Sequence, residues 1–147
     1  NVANSLMLIA ALMGVKIRIA RPKGYEPNQS LIEKAIKING NDKFLTISND
    51  PYSAALGANV LYTDVWASMG EENKKEEKEK DFKDFSINKD LVSRAHQNVI
   101  ILHCLPAYKG KEITEEVFES DKSRIFDQAE NRLHVQQALL ANIFSEN

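Results

Sequence analysis

The chain has 147 residues, of which 43% are hydrophobic and 27% charged, a size and composition that bury the core of one globular domain. Its formal net charge of −2 offers no basic field for a nucleic-acid backbone, so no nucleic-acid partner is expected and a small-molecule ligand remains open. A single cysteine, Cys104, excludes an internal disulfide and suits a reducing compartment; no run reaches the roughly 18 apolar residues of a membrane span, so the expectation is a soluble, cytoplasmic protein with no membrane partner.

The first residue is not an initiator methionine, and Asn1 runs directly into a helical pattern, so the chain reads as a piece of something longer. Leu6, Ile9, Leu12 and Met13 recur at helical spacing, which predicts a buried helix over 3–13, with Asn1 or Asn4 to cap it and Gly14 to end it. A β-branched alternation at 15–20 predicts a strand closed by Pro22 and Gly24. Leu31, Ile32, Ala35 and Ile36 then mark an amphipathic helix after Pro27-Asn28, stopped by Gly40, and a second strand follows over 43–48. Asp50-Pro51 opens a short helix to Leu56, with Pro51 suited to its first position, and a strand is expected over 59–65. The segment 71–80 mixes both charge signs without an apolar stripe and reads as a solvated helix or loop. Asn88 caps a short helix carrying Leu91 and Val92, and the apolar run 98–102 predicts a strand covered on both faces. A last strand is expected at 124–126 and a final helix at about 131–144.

Strands alternating with helices over short connections predict an α/β fold, a three-layer doubly wound parallel sheet of Rossmann-like type. Such sheets bind ligands at the carboxyl ends of their strands, which turns attention to Asp64, Ser68-Met69-Gly70 and His103-Cys104-Leu105-Pro106. Asp64 at a strand mouth can receive a ligand ammonium, or it can cap a helix in the charged segment beyond. Ser68-Met69-Gly70 adds a hydroxyl and backbone N–H groups within one loop of that carboxylate. Cys104 is either inert core or a functional thiol, and His103 either a ligand contact or a group satisfying the backbone. Arg132, read as lying at the start of the last helix, is unfavourable to the helix dipole there and needs Asp127, Glu130 or an oxygen-rich ligand. His96, His103 and His134 fall on separate elements, so no metal site is expected. The short signatures of dinucleotide binding, phosphate cradling, zinc proteolysis and serine hydrolysis are missing.

Read together, 64–70 (Asp-Val-Trp-Ala-Ser-Met-Gly), 103–106 (His-Cys-Leu-Pro), Glu116-Val117-Phe118 and Ala129-Glu130-Asn131-Arg132 resemble, in order and spacing, the second domain of the ornithine carbamoyltransferase family, over nearly the whole chain. The resemblance implies transfer of the carbamoyl group of carbamoyl phosphate to the side-chain amine of L-ornithine, giving citrulline and phosphate in arginine metabolism, without metal or organic cofactor. It implies that Asn1 and the Ser68-Met69 backbone hold the ornithine carboxylate and that Asp64 and Ser68 hold its α-amino group. Cys104 would face the reacting amine and carbamoyl group, the Leu105 carbonyl would accept a hydrogen bond, and Arg132 would stabilise the carbamoyl oxygen. Whether Cys104 removes a proton or only positions the amine stays open.

The family's phosphate-binding amino-terminal domain, with its Ser-Thr-Arg-Thr segment, has no counterpart in 1–147, so this ornithine-binding domain is expected to be inactive alone. A strand that family members place ahead of Asn1 would be central in the sheet, and its loss would leave its neighbours without a partner. The final helix packs against the other domain in the family, and the parent is expected to be a homotrimer. The competing readings are a carbamoyltransferase for putrescine or another amine, against which Ser68-Met69-Gly70 argues, and a non-catalytic Rossmann-like binding module.

Overall fold

The computed structural model describes residues 1–67 and 72–145, with backbone only at Glu72. Helix α1 (Val2–Met13) ends at Gly14, whose φ of 66° is the left-handed conformation that a residue without Cβ adopts freely. Strand β1 (Ile17–Ala20) leads to α2 (Gln29–Asn39), which the Asn28 side chain caps by accepting the Ser30 N–H at 2.9 Å. A 3₁₀ turn, Asp42–Phe44, takes up the first residues of the expected second strand, leaving β2 as Leu45–Ser48. Helix α3 (Pro51–Ala55) starts where the Asp50 carboxylate accepts the amides of Tyr52 and Ser53. Strand β3 (Val60–Thr63) follows, shorter than its apolar pattern suggested.

The charged segment forms a 3₁₀ turn, Glu72–Lys74, and helix α4 (Lys75–Phe82). Its faces are mostly exposed, as expected, but one end is docked: Phe82 packs edge-on to Tyr25 and stacks on Trp66, and Tyr25 donates to Asp81 at 2.9 Å. After a further 3₁₀ turn, Lys83–Phe85, the Asn88 side chain caps α5 (Lys89–Arg94) through the Leu91 N–H. Strand β4 (Ile100–His103), the short α6 (Glu115–Phe118) and the long α7 (Ile125–Phe144) complete the chain.

The strands pair in parallel, β1 with β2 and β3 with β4, and among the described residues no ladder joins the two pairs. Parallel pairs with helical crossovers make this an α/β, Rossmann-like fold. Each pair has its own core. Met7, Ala11, Ala35 and Phe44 fill the first; the second collects Leu61, Ile87, Leu91, Val99, Ile101 and Ile113 with Ala55, Val117, Phe118 and Ile125.

Three expectations are corrected. The segment 124–126 is no strand, because its backbone pairing with β4 is an isolated bridge at Ser123 rather than a ladder, and the Arg124 carbonyl is already the first acceptor of α7. Helix α1 is not buried all round: Ile9, Leu12 and Met13 are more than half exposed, and only Met7, Ala10 and Ala11 are enclosed. The α7 helix begins at Ile125 rather than near 131, so Arg132 lies in its interior, beyond the first turn where the dipole argument applies.

Candidate active site

The register that sets Thr63 beside His103 brings the next residues, Asp64 and Cys104, together at the carboxyl mouths of β3 and β4. The Cys104 thiol donates to Asp64 Oδ1 at 2.9 Å, and the same oxygen accepts the Val65 N–H at 2.7 Å. Among the described residues the Asp64 carboxylate serves the turn that follows β3 and the thiol opposite, and the N-cap position of α4 is Lys74. Burial, followed by the hydrogen bond and negative charge of Asp64, pushes the Cys104 thiol up to about 11, so it is a neutral S–H near pH 7.

His103 is fully buried and does satisfy backbone groups, as one reading of it held. Its Nδ1 accepts the Leu105 N–H at 2.8 Å, which leaves the ring proton on Nε2 to donate to Glu112 Oε1 at 3.1 Å. Glu112, itself only 1% exposed, also accepts the Tyr108 N–H at 2.6 Å. These bonds hold both ends of the turn that carries Cys104. Within it Leu105 has a φ of 58° and precedes a cis bond to Pro106, and no described group donates to the Leu105 carbonyl.

A third set of bonds joins α7 to the site. Gln128, in the helix's first turn, accepts the His103 N–H at 3.1 Å and donates to the Tyr62 hydroxyl at 3.1 Å. Burial raises the Tyr62 phenol to about 12, with the nearby Cys104 adding to the effect.

The other expected site residues are dispersed. Asn1 precedes α1, makes no side-chain cap bond, and lines an open hollow of about 500 Å³ with Val2, Ser5, Leu6 and Ile9, a hollow that includes neither Asp64 nor Cys104. Arg132 is exposed on α7 and has no hydrogen bond or ion pair among the described residues; Asp127 lies 3.8 Å from Arg124 and Glu130 3.5 Å from His134 instead. Ser68 and Met69 lie outside the described residues. Among those described, no three His, Cys, Asp or Glu side chains cluster to hold a metal, and no helix is long and apolar enough to cross a membrane.

Sequence reading missed Tyr62, Gln128 and Glu112. Tyr62 was within reach, since a residue two before Asp64 shares its face of the strand. Gln128 was hidden by the misplaced helix start, and no local pattern marks Glu112.

Residues 1–143 match the family described as aspartate/ornithine carbamoyltransferase, Asp/Orn binding domain. The chain is 68% identical over 145 residues to an ornithine carbamoyltransferase of Prochlorococcus marinus (strain MIT 9312), covering 99% of this chain and 47% of that protein. It is 54% identical to a catabolic ornithine carbamoyltransferase of Thermoplasma acidophilum, covering 99% of this chain and 48% of the relative. The solved ornithine carbamoyltransferase of Pyrococcus furiosus superposes with a TM-score of 0.88 at 45% identity, over 96% of this chain and 45% of that one. The chain thus spans about half the length of the relatives it matches.

Proposed function

The chain belongs to the aspartate/ornithine carbamoyltransferase family, and from that premise we propose that it is the ornithine-binding domain of an enzyme that carbamoylates the side-chain amine of L-ornithine. The observation that carries this reading is the Asp64–Cys104 contact at the joined mouths of β3 and β4, which puts an anionic group for an ammonium beside a neutral thiol. Asp64 and Ser68 receive the α-amino group, and Asn1 with the Ser68-Met69 backbone receives the carboxylate. The amine nitrogen attacks the carbamoyl carbon of carbamoyl phosphate, the carbon–oxygen bond to phosphate breaks, and the amine loses one proton. Arg132, whose guanidinium meets no described partner, balances the charge growing on the carbamoyl oxygen, and the Leu105 carbonyl accepts an N–H of the carbamoyl group.

A thiol raised to about 11 is a poor base for this proton at neutral pH, which favours positioning over deprotonation as the role of Cys104. The carbamoyl phosphate is held mainly by a further domain of the same polypeptide. Support for such a domain comes from the length of the relatives and from α7, where Phe126, Leu133, Val135, Ile143 and Phe144 are all more than half exposed. The assembled enzyme is a cytoplasmic homotrimer acting without a cofactor.

Calorimetric titration of the full-length chain bearing this sequence is expected to show binding of ornithine and none of putrescine; tight putrescine binding without ornithine binding overturns the assignment. Replacing Cys104 by Ser should lower kcat, and unchanged kinetics would remove the thiol from the mechanism.

A further inference from the structure

The start of α7 is fastened to the strands at successive points. The Arg124 N–H donates to the Ile101 carbonyl at 2.9 Å, Ile125 is completely buried, and Gln128 bridges the ends of β3 and β4. Because a backbone N–H can only donate, the His103 amide fixes which end of the Gln128 side chain is the carbonyl, and the amide nitrogen donates to the Tyr62 hydroxyl, each bond at 3.1 Å. Residues 129–145 are all exposed, so Gln128 is the last residue of α7 that is not. Arg132 stands four residues further on, which in an α-helix is about 6 Å along the axis and about 40° around it, on the same face. Bonds to two different strands leave a planar amide little freedom to turn, so they set the rotation of α7 at the point from which Arg132 projects.

We propose that Gln128 is a positioning residue of the carbamoyl-transfer site: by bridging Tyr62 and His103 it sets the rotation of α7 and so aims the Arg132 guanidinium across the mouths of β3 and β4, where Cys104 and Asp64 meet. The inference rests on the reading of Arg132 as the group that balances charge on the carbamoyl oxygen. That charge grows only as the amine attacks, so an Arg132 turned out of line weakens the transition state more than it weakens ornithine binding. Gln128, with both ends of its amide engaged, acts through Arg132 and not on the substrates.

The test is steady-state kinetics of the full-length chain. Gln128→Leu keeps much of the side chain's size and removes both bonds; kcat should fall about tenfold or more, with KM for ornithine within about twofold of its original value. Gln128→Glu should retain most of kcat, because one carboxylate oxygen accepts the His103 N–H and the other the Tyr62 O–H, leaving the bridge closed. Without the guanidinium there is nothing for Gln128 to aim. Added to Arg132→Ala, Gln128→Leu should therefore lower kcat by less than about twofold. Arg132→Lys, whose flexible ammonium does not need a fixed fork, replaces the alanine variant if that one turns over too slowly to follow.

A loss of kcat that Gln128→Glu restores, and that disappears once Arg132 is gone, supports the bridge. An unchanged kcat in folded Gln128→Leu, a raised KM in its place, a Glu variant as slow as the Leu variant, or equal losses with and without Arg132 overturns it. Should Gln128→Leu fail to fold by circular dichroism, Tyr62→Phe removes one of the two bonds and carries the comparison with and without Arg132. Absence of transferase activity in the unaltered chain would instead defeat the functional reading. Hydrogen exchange reads the bridge without substrate: the His103 amide should exchange faster in Gln128→Leu and at the original rate in Gln128→Glu, and equal rates in all three chains would mean that Gln128 holds nothing.

Discussion

The two halves of the molecule share a plan, a parallel strand pair with helices against it, and differ in how well they are filled. In the first half four buried residues, Met7, Ala11, Ala35 and Phe44, make the core, and two of them are alanines. In the second, ten buried residues surround β3 and β4, with Ile101, Ile113 and Ile125 completely enclosed. The second half also encloses a polar pair, His103 and Glu112, that the first half has no equivalent of among its described residues. The candidate site sits on the better-filled half. A thiol and a carboxylate held within hydrogen-bonding distance need walls that do not yield, and close packing with satisfied polar groups supplies them.

The comparison is broken most directly by emptying each core. Ile101→Ala should cost about 4 kcal/mol, because the packed surroundings cannot close on the cavity. Met7→Ala should cost roughly 2 kcal/mol, since the half-exposed neighbours of α1 can settle inward. Urea unfolding of both variants measures the difference, and equal losses would mean that the two cores are equally rigid.

Helix caps sharpen the same contrast from the other side. Asn28 in the first half and Asn88 in the second each accept a single main-chain N–H, at 2.9 and 2.8 Å. Replacing either by Ala should cost about 1 kcal/mol, nearly the same in both, because a cap is a local device indifferent to the core behind it. A large inequality in denaturation midpoints would show that the halves differ in more than packing.

The smallest expected effect is at alkaline pH. Cys104 and Tyr62 hold their protons to about 11 and about 12 in the folded chain, above their ordinary values of 9.0 and 10.0. Between the ordinary and the raised values the unfolded chain binds fewer protons than the folded one, so the stability these groups contribute is complete below pH 9 and falls as pH rises toward 11. Both groups are partly solvated, which keeps the slope gentle. Cys104→Ser, whose hydroxyl does not titrate there, should flatten it in pH-dependent urea titrations; an unchanged slope would place the cause outside Cys104.

Local chemistry made most of this legible in the sequence. Gly14 and Gly40 end helices, Asn28, Asp50 and Asn88 begin them, and the alternation of periods gives the α/β class, since each signal acts within a few residues. The strand ends were read too long because apolar alternation continues into segments that have no ladder partner, as at Asn59 and Val65. Asp64 and Cys104 could be named separately, while their contact depends on a register set forty residues apart in the chain. Glu112 was invisible for the same reason: nothing nearby says that a glutamate will be buried against a histidine.

The two strand pairs leave a last consequence in β1 and β3, each laddered on one side only among the described residues. An unladdered edge presents a row of amide and carbonyl groups ready to bond to another polypeptide. Ile17–Ala20 and Val60–Thr63 are short, and the exposed charge of Arg18, turned toward the carbonyls of Ser53 and Leu56, interrupts the first. Neither Val60–Thr63 nor Leu45–Ser48, likewise laddered on one side only among the described residues, carries such a charge, so these are the edges left open to the backbone of another polypeptide.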